Sequence, residues 1–233
     1  MHINDGIFNL INPVTNGVSF PDVAVLSVTW AITIPFLVFA WKKTKSLGNH
    51  TLTATLSISS ALVFVAQLIN FPVVGGTTVH VLGATLLAMI LGPFAAMLSM
   101  TIVLLMQAFF FADGGLLAFG ANTLNMAVIG GLSFFFVKFF AGKSVDGSRL
   151  AISVFAASWV ASILTALATG FEVGFSSTFI NGGGIALTVP SMVGIYAMEG
   201  LVEAVVTTAL VTSLVRLQPR FMVGLDMLRG GKW

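Results

Sequence analysis

The first two residues of the chain offer several nitrogen atoms to a single cation. A chain that begins Met1-His2 presents its terminal amine, the backbone nitrogen of His2 and the imidazole of His2, which together close two fused chelate rings. A second imidazole, such as that of His80, would complete a planar set of nitrogens. Square-planar or tetragonal nitrogen coordination suits Ni(II) or Cu(II), whereas Zn(II) prefers a tetrahedron. Such a site requires a retained Met1, a free amine and a deprotonated amide, so its binding would depend on pH.

The polar residues in the apolar stretches allow more than one interpretation. His80 opens or lies within an apolar helix, directly after GGTTV, and is either a ligand or a helix-starting histidine bonded to a carbonyl. Glu199 and Glu203 are four residues apart and therefore share one face of the last helix. Carboxylates in lipid are costly unless they are protonated, hydrated or paired. The pair predicts a proton relay or an inter-helix clamp, and we favour a structural or partner-facing role because no second intramembrane base is evident.

The composition shows which elements must position these residues. Of 233 residues, 57% are apolar and 8% are charged, and the mean hydropathy is +1.04. Soluble domains carry about 25% charged residues. The chain is therefore predicted to be an all-α integral membrane protein with about seven transmembrane helices. It has no cysteine, which excludes disulfides and thiolate ligands, so any metal must be held by nitrogen or oxygen.

The distribution of positive charge predicts the orientation of the helices. The cluster Lys42, Lys43 and Lys45 follows the first apolar run and marks the cytoplasmic side, and the remaining seven basic residues then all fall on that side. We expect the N-terminus outside and the C-terminus in the cytoplasm, and no nucleic-acid partner. The predicted helices are Val23–Trp41, Leu52–Ile69, His80–Leu91, Phe94–Phe111, Thr123–Phe140, Leu150–Thr169 and a last helix from Ile185 or Pro190 to Val215.

Three ordered blocks resemble a known family. These are MHINDG at the N-terminus, GGTTVHVLGATLLAMILGPFAA, and LLMQAFFFADGGLLAFGANTLNMAVIG. They resemble the CbiM/NikM family, the substrate-capture components of energy-coupling-factor importers for cobalt and nickel. The resemblance implies that Met1, His2 and His80 bind the metal. It also implies that residues 1–22 form a metal-binding segment folded back into a membrane domain of residues 23–215, which is followed by a basic cytoplasmic tail of residues 216–233.

The resemblance also implies supporting residues and partners. Gln107, Asp113, Asn122 and Asn125 are expected to hold the ligands or the N-terminal segment by hydrogen bonds, or else to bond neighbouring backbone. The chain has no GxxxxGK[ST] loop, so it is not expected to be an enzyme. Energy would come from two cytoplasmic ATPase subunits and a coupling transmembrane subunit, often with a small accessory membrane protein. No resident cofactor is expected, because Ni(II) or Co(II) is the transported substrate.

Nickel is favoured over cobalt, because the His80 segment lacks the Cys and Pro that surround the histidine in cobalt-type members. The expected location is the cell membrane of a prokaryote, in which the chain crosses the lipid bilayer several times. Three alternatives stay open at this point. One is a self-sufficient secondary transporter that moves protons or cations through Glu199 and Glu203, and another is a structural subunit without metal. The third is an intramembrane metalloprotease, for which HExxH is missing.

Overall fold

The chain folds into a bundle of apolar helices with one very small hairpin. The computed structural model describes residues 1–11, 17–47, 50–73, 77–142 and 147–231. Within these ranges the helices are α1 (Phe20–Ser46), α2 (His50–Gln67), α3 (Ala84–Leu91), α4 (Pro93–Phe111), α5 (Phe119–Asn122), α6 (Gly130–Ala141), α7 (Gly147–Gly174), α8 (Gly184–Leu217) and α9 (Val223–Leu228). A π-helical stretch, Thr123–Ile129, joins α5 to α6. Strands β1 (Phe71–Val73) and β2 (Thr77–Val79) pair antiparallel, with Phe71 opposite Val79.

Five of these elements are long and apolar enough to cross a membrane, among the residues described. They are α1, α4, the continuous helix Phe119–Ala141, α7 and α8, and α2 contributes a shorter apolar helix over Leu52–Gln67. The all-α membrane class predicted from the composition is confirmed. The predicted order of the helices is also found, with ends that differ by a few residues because helices such as α1 extend beyond their apolar runs.

The third predicted helix differs from the expectation. The sequence predicts a helix from His80 to Leu91, but α3 begins only at Ala84. Residues up to Val79 pair as a strand, and Gly83 has a φ of +72°, a conformation that ends extended backbone rather than continuing a helix. With eight residues α3 is about 12 Å long and cannot cross the bilayer core of about 30 Å alone. All of its residues are buried, so it is the centre of the bundle.

The segment after α8, for which the sequence predicts a basic cytoplasmic tail over residues 216–233, contains further helical structure. As far as residue 231, it contains a 3₁₀ turn, Pro219–Phe221, and then α9. Leu225, Met227 and Leu228 are buried, and Gly224 lies so close to α3 that a Cβ there would approach the carbonyl oxygens of Ala88 and Met89 to 2.5 Å. The arginines of this region led to the prediction of a basic tail, whereas its apolar residues pack α9 against α3.

Candidate metal centre

The N-terminus of the chain is buried inside the helical domain. Met1, His2 and Ile3 are each at most 1% exposed. Backbone groups buried away from water need partners, and the Asn122 side chain supplies two of them. The Ile3 amide donates to Asn122 Oδ1 at 2.8 Å, and Asn122 Nδ2 donates to the Ile3 carbonyl at 3.0 Å. The amide of Gly115 donates to the same carbonyl at 3.0 Å.

The Asp5 carboxylate provides a second attachment for this segment. It accepts the backbone amides of Leu116 at 2.9 Å and of Ala118 at 3.0 Å. Gly115 lies directly beneath it, and a Cβ at that position would overlap the carboxylate and approach the Asp5 backbone nitrogen to 2.6 Å. The close approach of the two segments therefore requires glycine at position 115.

A third attachment involves the start of α1 and the residues that follow α7. Asp22 accepts the Asn9 amide at 3.2 Å and the Ser177 amide at 2.9 Å. The Thr178 hydroxyl donates to the Ile7 carbonyl at 2.7 Å. The N-terminal segment is thus held along its length by three different parts of the bundle, and its position is defined by contacts distant in sequence.

His80 lies against this buried N-terminus. Its ring centroid is 4.6 Å from that of His2, and the two rings are inclined by 51°. His80 Nδ1 is 2.9 Å from the Val81 carbonyl, to which the Nδ1–H tautomer donates. Nε2 then carries the lone pair, and among the described residues it has no hydrogen-bond partner. The structure therefore brings Met1, His2 and His80 together and leaves His80 Nε2 available as a ligand.

The segment that carries His80 is fixed from α8. Glu203 Oε2 accepts the Leu82 amide at 2.6 Å, and Oε1 accepts the Gly83 amide at 2.9 Å. These two amides directly precede the first residue of α3, so the carboxylate also lies at the positive end of that helix's dipole. Glu203 is completely buried and forms an inter-helix clamp.

The residues expected to support the ligands lie in different places. Asp113 Oδ1 is 2.8 Å from His2 Nδ1, and its other oxygen accepts Asn70 Nδ2 at 2.6 Å. Asn122 holds the segment through Ile3, as described above. Gln107 acts at a distance, because it donates to Gln67 at 3.1 Å and Gln67 donates to the Leu82 carbonyl at 2.7 Å.

Asn125 lies in the π-helical stretch and bonds to α7. Its Nδ2 donates to the Thr169 hydroxyl at 3.1 Å and to the Glu172 carboxylate. Within the described part of the chain, these hydrogen bonds connect Asn125 to α7 and not to Met1, His2 or His80. Its place in the structure is that of a link between two membrane helices, a role that intramembrane amides often have.

The pocket favours unprotonated nitrogens. Burial lowers the pKa of the Met1 amine well below its usual value, against the opposing effect of Asp113 and Glu199. Burial also lowers the pKa of both imidazoles, and the nearby amine lowers the pKa of His80 further. For Asp113, burial acts to raise the pKa, but the hydrogen bond from His2 and the nearby positive groups lower it overall. Neutral amine and imidazole nitrogens are the forms that bind metals.

Comparison with known proteins identifies the family. Residues 19–221 match the family described as the CbiM cobalt uptake substrate-specific transmembrane region. The chain belongs to the CbiM family. The resemblance inferred from the three motifs is confirmed, although Met1 and His2 precede the matched range. Membership and the apolar helices together make this a multi-pass membrane protein of the kind found in prokaryotes.

Relatives of this CbiM-family chain are named as nickel and cobalt transport proteins. It is 32% identical over 219 residues to a putative fused nickel transport protein NikMN of Archaeoglobus fulgidus, covering 94% of this chain and 67% of that protein. It is 33% identical over 234 residues to the fused nickel transport protein NikMN of Rhodobacter capsulatus, covering 95% and 64%. It is 33% identical over 196 residues to the cobalt transport protein CbiM of Lachnoclostridium phytofermentans, covering 79% and 77%. The chain thus spans about two thirds of the length of the fused relatives.

Solved structures agree with this assignment. A crystal structure of a transition metal transporter has a TM-score of 0.80 and 30% identity, covering 99% of this chain and 97% of that one. The crystal structure of a truncated transition metal transporter has a TM-score of 0.79 and 32% identity, covering 93% and 99%. The similarity extends over almost the whole fold.

Several residues that shape the pocket were not found from the sequence. Asp5, Gln67 and Asn70 hold the N-terminal segment, the His80 segment and Asp113, respectively. Their partners are 15 to 113 residues away in the chain, so local patterns give no indication of them. Of these three residues, only Asp5 could have been suspected from the sequence, because it is an acidic residue three positions after His2 in a segment expected to fold inward.

Replacing Gly115 by Ala is expected to release the N-terminal segment. The added Cβ would overlap Asp5 and force the two segments apart. Overpacking of this kind costs about 1–3 kcal/mol, or roughly a tenfold or greater change in the population of the released state. The measurement is the rate at which an acylating reagent modifies the Met1 amine, followed by mass spectrometry of the N-terminal peptide. We expect faster modification in Gly115→Ala.

Gly6→Ala is the matched control, because Gly6 lies in the same segment and a Cβ there would meet nothing within 4 Å. Its modification rate should equal that of the unmodified sequence. Equal rates for both variants would show that the close contact between Asp5 and Gly115 does not hold the segment.

Proposed function

We propose that this chain is the metal-capturing membrane component of a prokaryotic importer for Ni(II) or Co(II), with nickel preferred. The observation that carries this proposal is the convergence of the Met1 amine, His2 and His80 in one buried pocket. The names of the relatives, which refer to nickel and cobalt transport, support it. A nitrogen set able to lie in one plane favours Ni(II), because that ion accepts square-planar coordination and binds nitrogen ligands more tightly than Co(II) does.

Capture of the ion would exchange partners at His2. The chelate ring that contains the His2 backbone nitrogen can close only through Nδ1 of the same residue, and Nδ1 now faces Asp113. The cation would therefore replace Asp113 at Nδ1 and take His80 Nε2, which is already unpartnered. Asp113 keeps its bond to Asn70 and stays beside the site as a nearby negative charge.

The energy for import would come from other subunits. The sequence has no GxxxxGK[ST] loop of the kind that holds nucleotide phosphates. We infer two cytoplasmic ATPase subunits, a coupling transmembrane subunit and a small accessory membrane protein as partners. ATP use in these partners would reorient the captured ion toward the cytoplasm. Glu203 is engaged with the backbone of Leu82 and Gly83, which favours this arrangement over a self-sufficient transporter that moves protons through Glu203.

The proposal is tested by calorimetric titration of the purified, detergent-solubilised chain with Ni(II) and Co(II). We expect one-to-one binding, tighter for Ni(II), that is abolished in His2→Ala, in His80→Ala and in a chain extended by one residue before Met1. His50→Ala removes the remaining histidine and should bind like the unmodified chain. Equal binding by the extended chain would exclude the terminal amine as a ligand and leave the proposal without its main support.

The pH dependence of binding gives a second test. Bound metal displaces protons from the amine, the imidazoles and the amide. Because burial lowers the pKa of Met1, His2 and His80, fewer protons remain to be displaced in mildly acidic solution. The chain should therefore keep its Ni(II) affinity to a lower pH than a synthetic Met-His-Ile amide peptide, as measured by titration of both across about pH 5–8, where an imidazole usually titrates. An identical pH profile for the two would show that the folded pocket does not prepare these nitrogens.

A further inference from the structure

Glu199 has a buried carboxylate that the fold does not use. Both of its oxygens are shielded from solvent, and neither accepts a hydrogen bond from the residues that the structure describes. One turn further along α8, Glu203 is bonded to two backbone amides. A buried polar atom without a partner destabilises the fold, so in native proteins such an atom calls for a specific explanation, such as a bound ion.

Glu199 lies on the face of α8 that is turned toward the proposed metal pocket. Its carboxylate interacts electrostatically with the Met1 amine, as does that of Asp113. Tyr196, three residues earlier on the same face of α8, is completely buried, and its hydroxyl oxygen accepts a hydrogen bond from the backbone amide of His80. This face of α8 thus faces the N-terminus and His80 over two turns, through Tyr196, Glu199 and Glu203.

Coordination chemistry indicates a role for the two unpartnered oxygens of Glu199. An amine that binds a metal through its lone pair keeps two N–H groups, and the metal makes them stronger donors. In a buried pocket each of these donors needs an acceptor. The carboxylates that act on the Met1 amine are those of Asp113 and Glu199. Once the cation has replaced Asp113 at His2, Asp113 keeps its bond to Asn70 and has one oxygen left for one of the two N–H groups. Glu199 has both oxygens available.

We propose that Glu199 is a positioning residue for the transported cation: its carboxylate accepts a hydrogen bond from the metal-bound Met1 amine and balances part of the cation's charge. This inference rests on the proposed function, because it needs a metal bound through Met1. It assigns to Glu199 the orienting role that carboxylates beside metal ligands commonly have. It also explains why the two glutamates on one face of α8 differ in their hydrogen bonds. Glu203 is bonded to the backbone near His80, whereas Glu199 would be bonded to the Met1 amine only when metal is present.

The test compares Glu199→Gln, Glu199→Asp and Glu203→Gln with the unmodified chain in detergent. Loss of a carboxylate that orients a metal ligand typically weakens binding about 10- to 100-fold, and we expect a Ni(II) dissociation constant raised by that factor in Glu199→Gln. Without metal, the melting temperature of Glu199→Gln should equal or exceed that of the unmodified chain, because an unpartnered carboxylate has been replaced by a neutral amide. Glu203→Gln should lower it, because that carboxylate is bonded to backbone amides.

Glu199→Asp keeps the charge and should recover part of the Ni(II) affinity. Glu172→Gln is the matched control on α7, since Glu172 is also a buried carboxylate but is bonded to Asn125. We expect its Ni(II) affinity to be unchanged. The visible absorption of bound Ni(II) should keep the planar nitrogen signature in every variant that binds.

The outcomes separate the two proposals. If Glu199→Gln binds Ni(II) as the unmodified chain does while His2→Ala does not bind, the role of Glu199 is excluded and the proposed function stands. If Glu199→Gln melts earlier without metal and Glu199→Asp recovers no affinity, Glu199 has a structural role only, and the inference is overturned. If the unmodified chain binds neither Ni(II) nor Co(II), the proposed function itself fails.

Discussion

The burial of a chain terminus inside a membrane domain is the constraint on which the rest of the structure depends. A terminal amine and the first peptide groups are strongly hydrated, and they can be buried only where each finds a partner. The Asn122 side chain and the Gly115 amide supply partners for the peptide groups of Ile3, and the Asp5 carboxylate attaches the segment to the amides of Leu116 and Ala118. The amine remains in an environment that disfavours its protonated form. The same burial that makes the segment expensive to fold therefore prepares its nitrogens for a cation.

A second constraint acts on the segment that carries His80. Helix α3 is short, fully buried and flanked by Gly83 and Gly92, both with positive φ. Glu203 binds the backbone at its first end, and at the other end Met227 of α9 packs so closely that a Cβ at Gly92 would approach its sulfur to 2.6 Å. The position of His80 is thus set by α8, and the far end of the same helix is in contact with α9.

The sequence predicted the helical class well and the pocket only in part. Apolar runs near the length of a membrane crossing can be recognised from the sequence alone, so the positions of α1, α4, α7 and α8 could be predicted to within a few residues. The inward and outward directions of the helices remain an expectation from the charges. The start of α3 was placed at His80 because an apolar pattern cannot distinguish a buried extended segment from a helix. The helix α9 was missed because its apolar residues are few and lie among arginines.

The part of the pocket that could be predicted from the sequence is the part formed by residues that are neighbours in the chain. Met1 and His2 are neighbours, and their chelating geometry follows from covalent structure alone. Asp113 and Asn122 were suggested by the resemblance to the family, and in the structure Asp113 contacts His2 and Asn122 is hydrogen-bonded to Ile3. Asn70, Gln67 and Asp5 act on partners far along the chain, and only the folded structure brings them together. The difference between Glu199 and Glu203 likewise depends on what faces each turn of α8.

The most direct test of this account is nickel X-ray absorption spectroscopy of the purified chain with one equivalent of Ni(II). The account predicts a planar environment of four nitrogen donors, two of them imidazoles, with the edge feature typical of square-planar Ni(II). A six-coordinate environment rich in oxygen would contradict it, because the cation would then be held by carboxylates or water instead of the Met1 amine, His2 and His80.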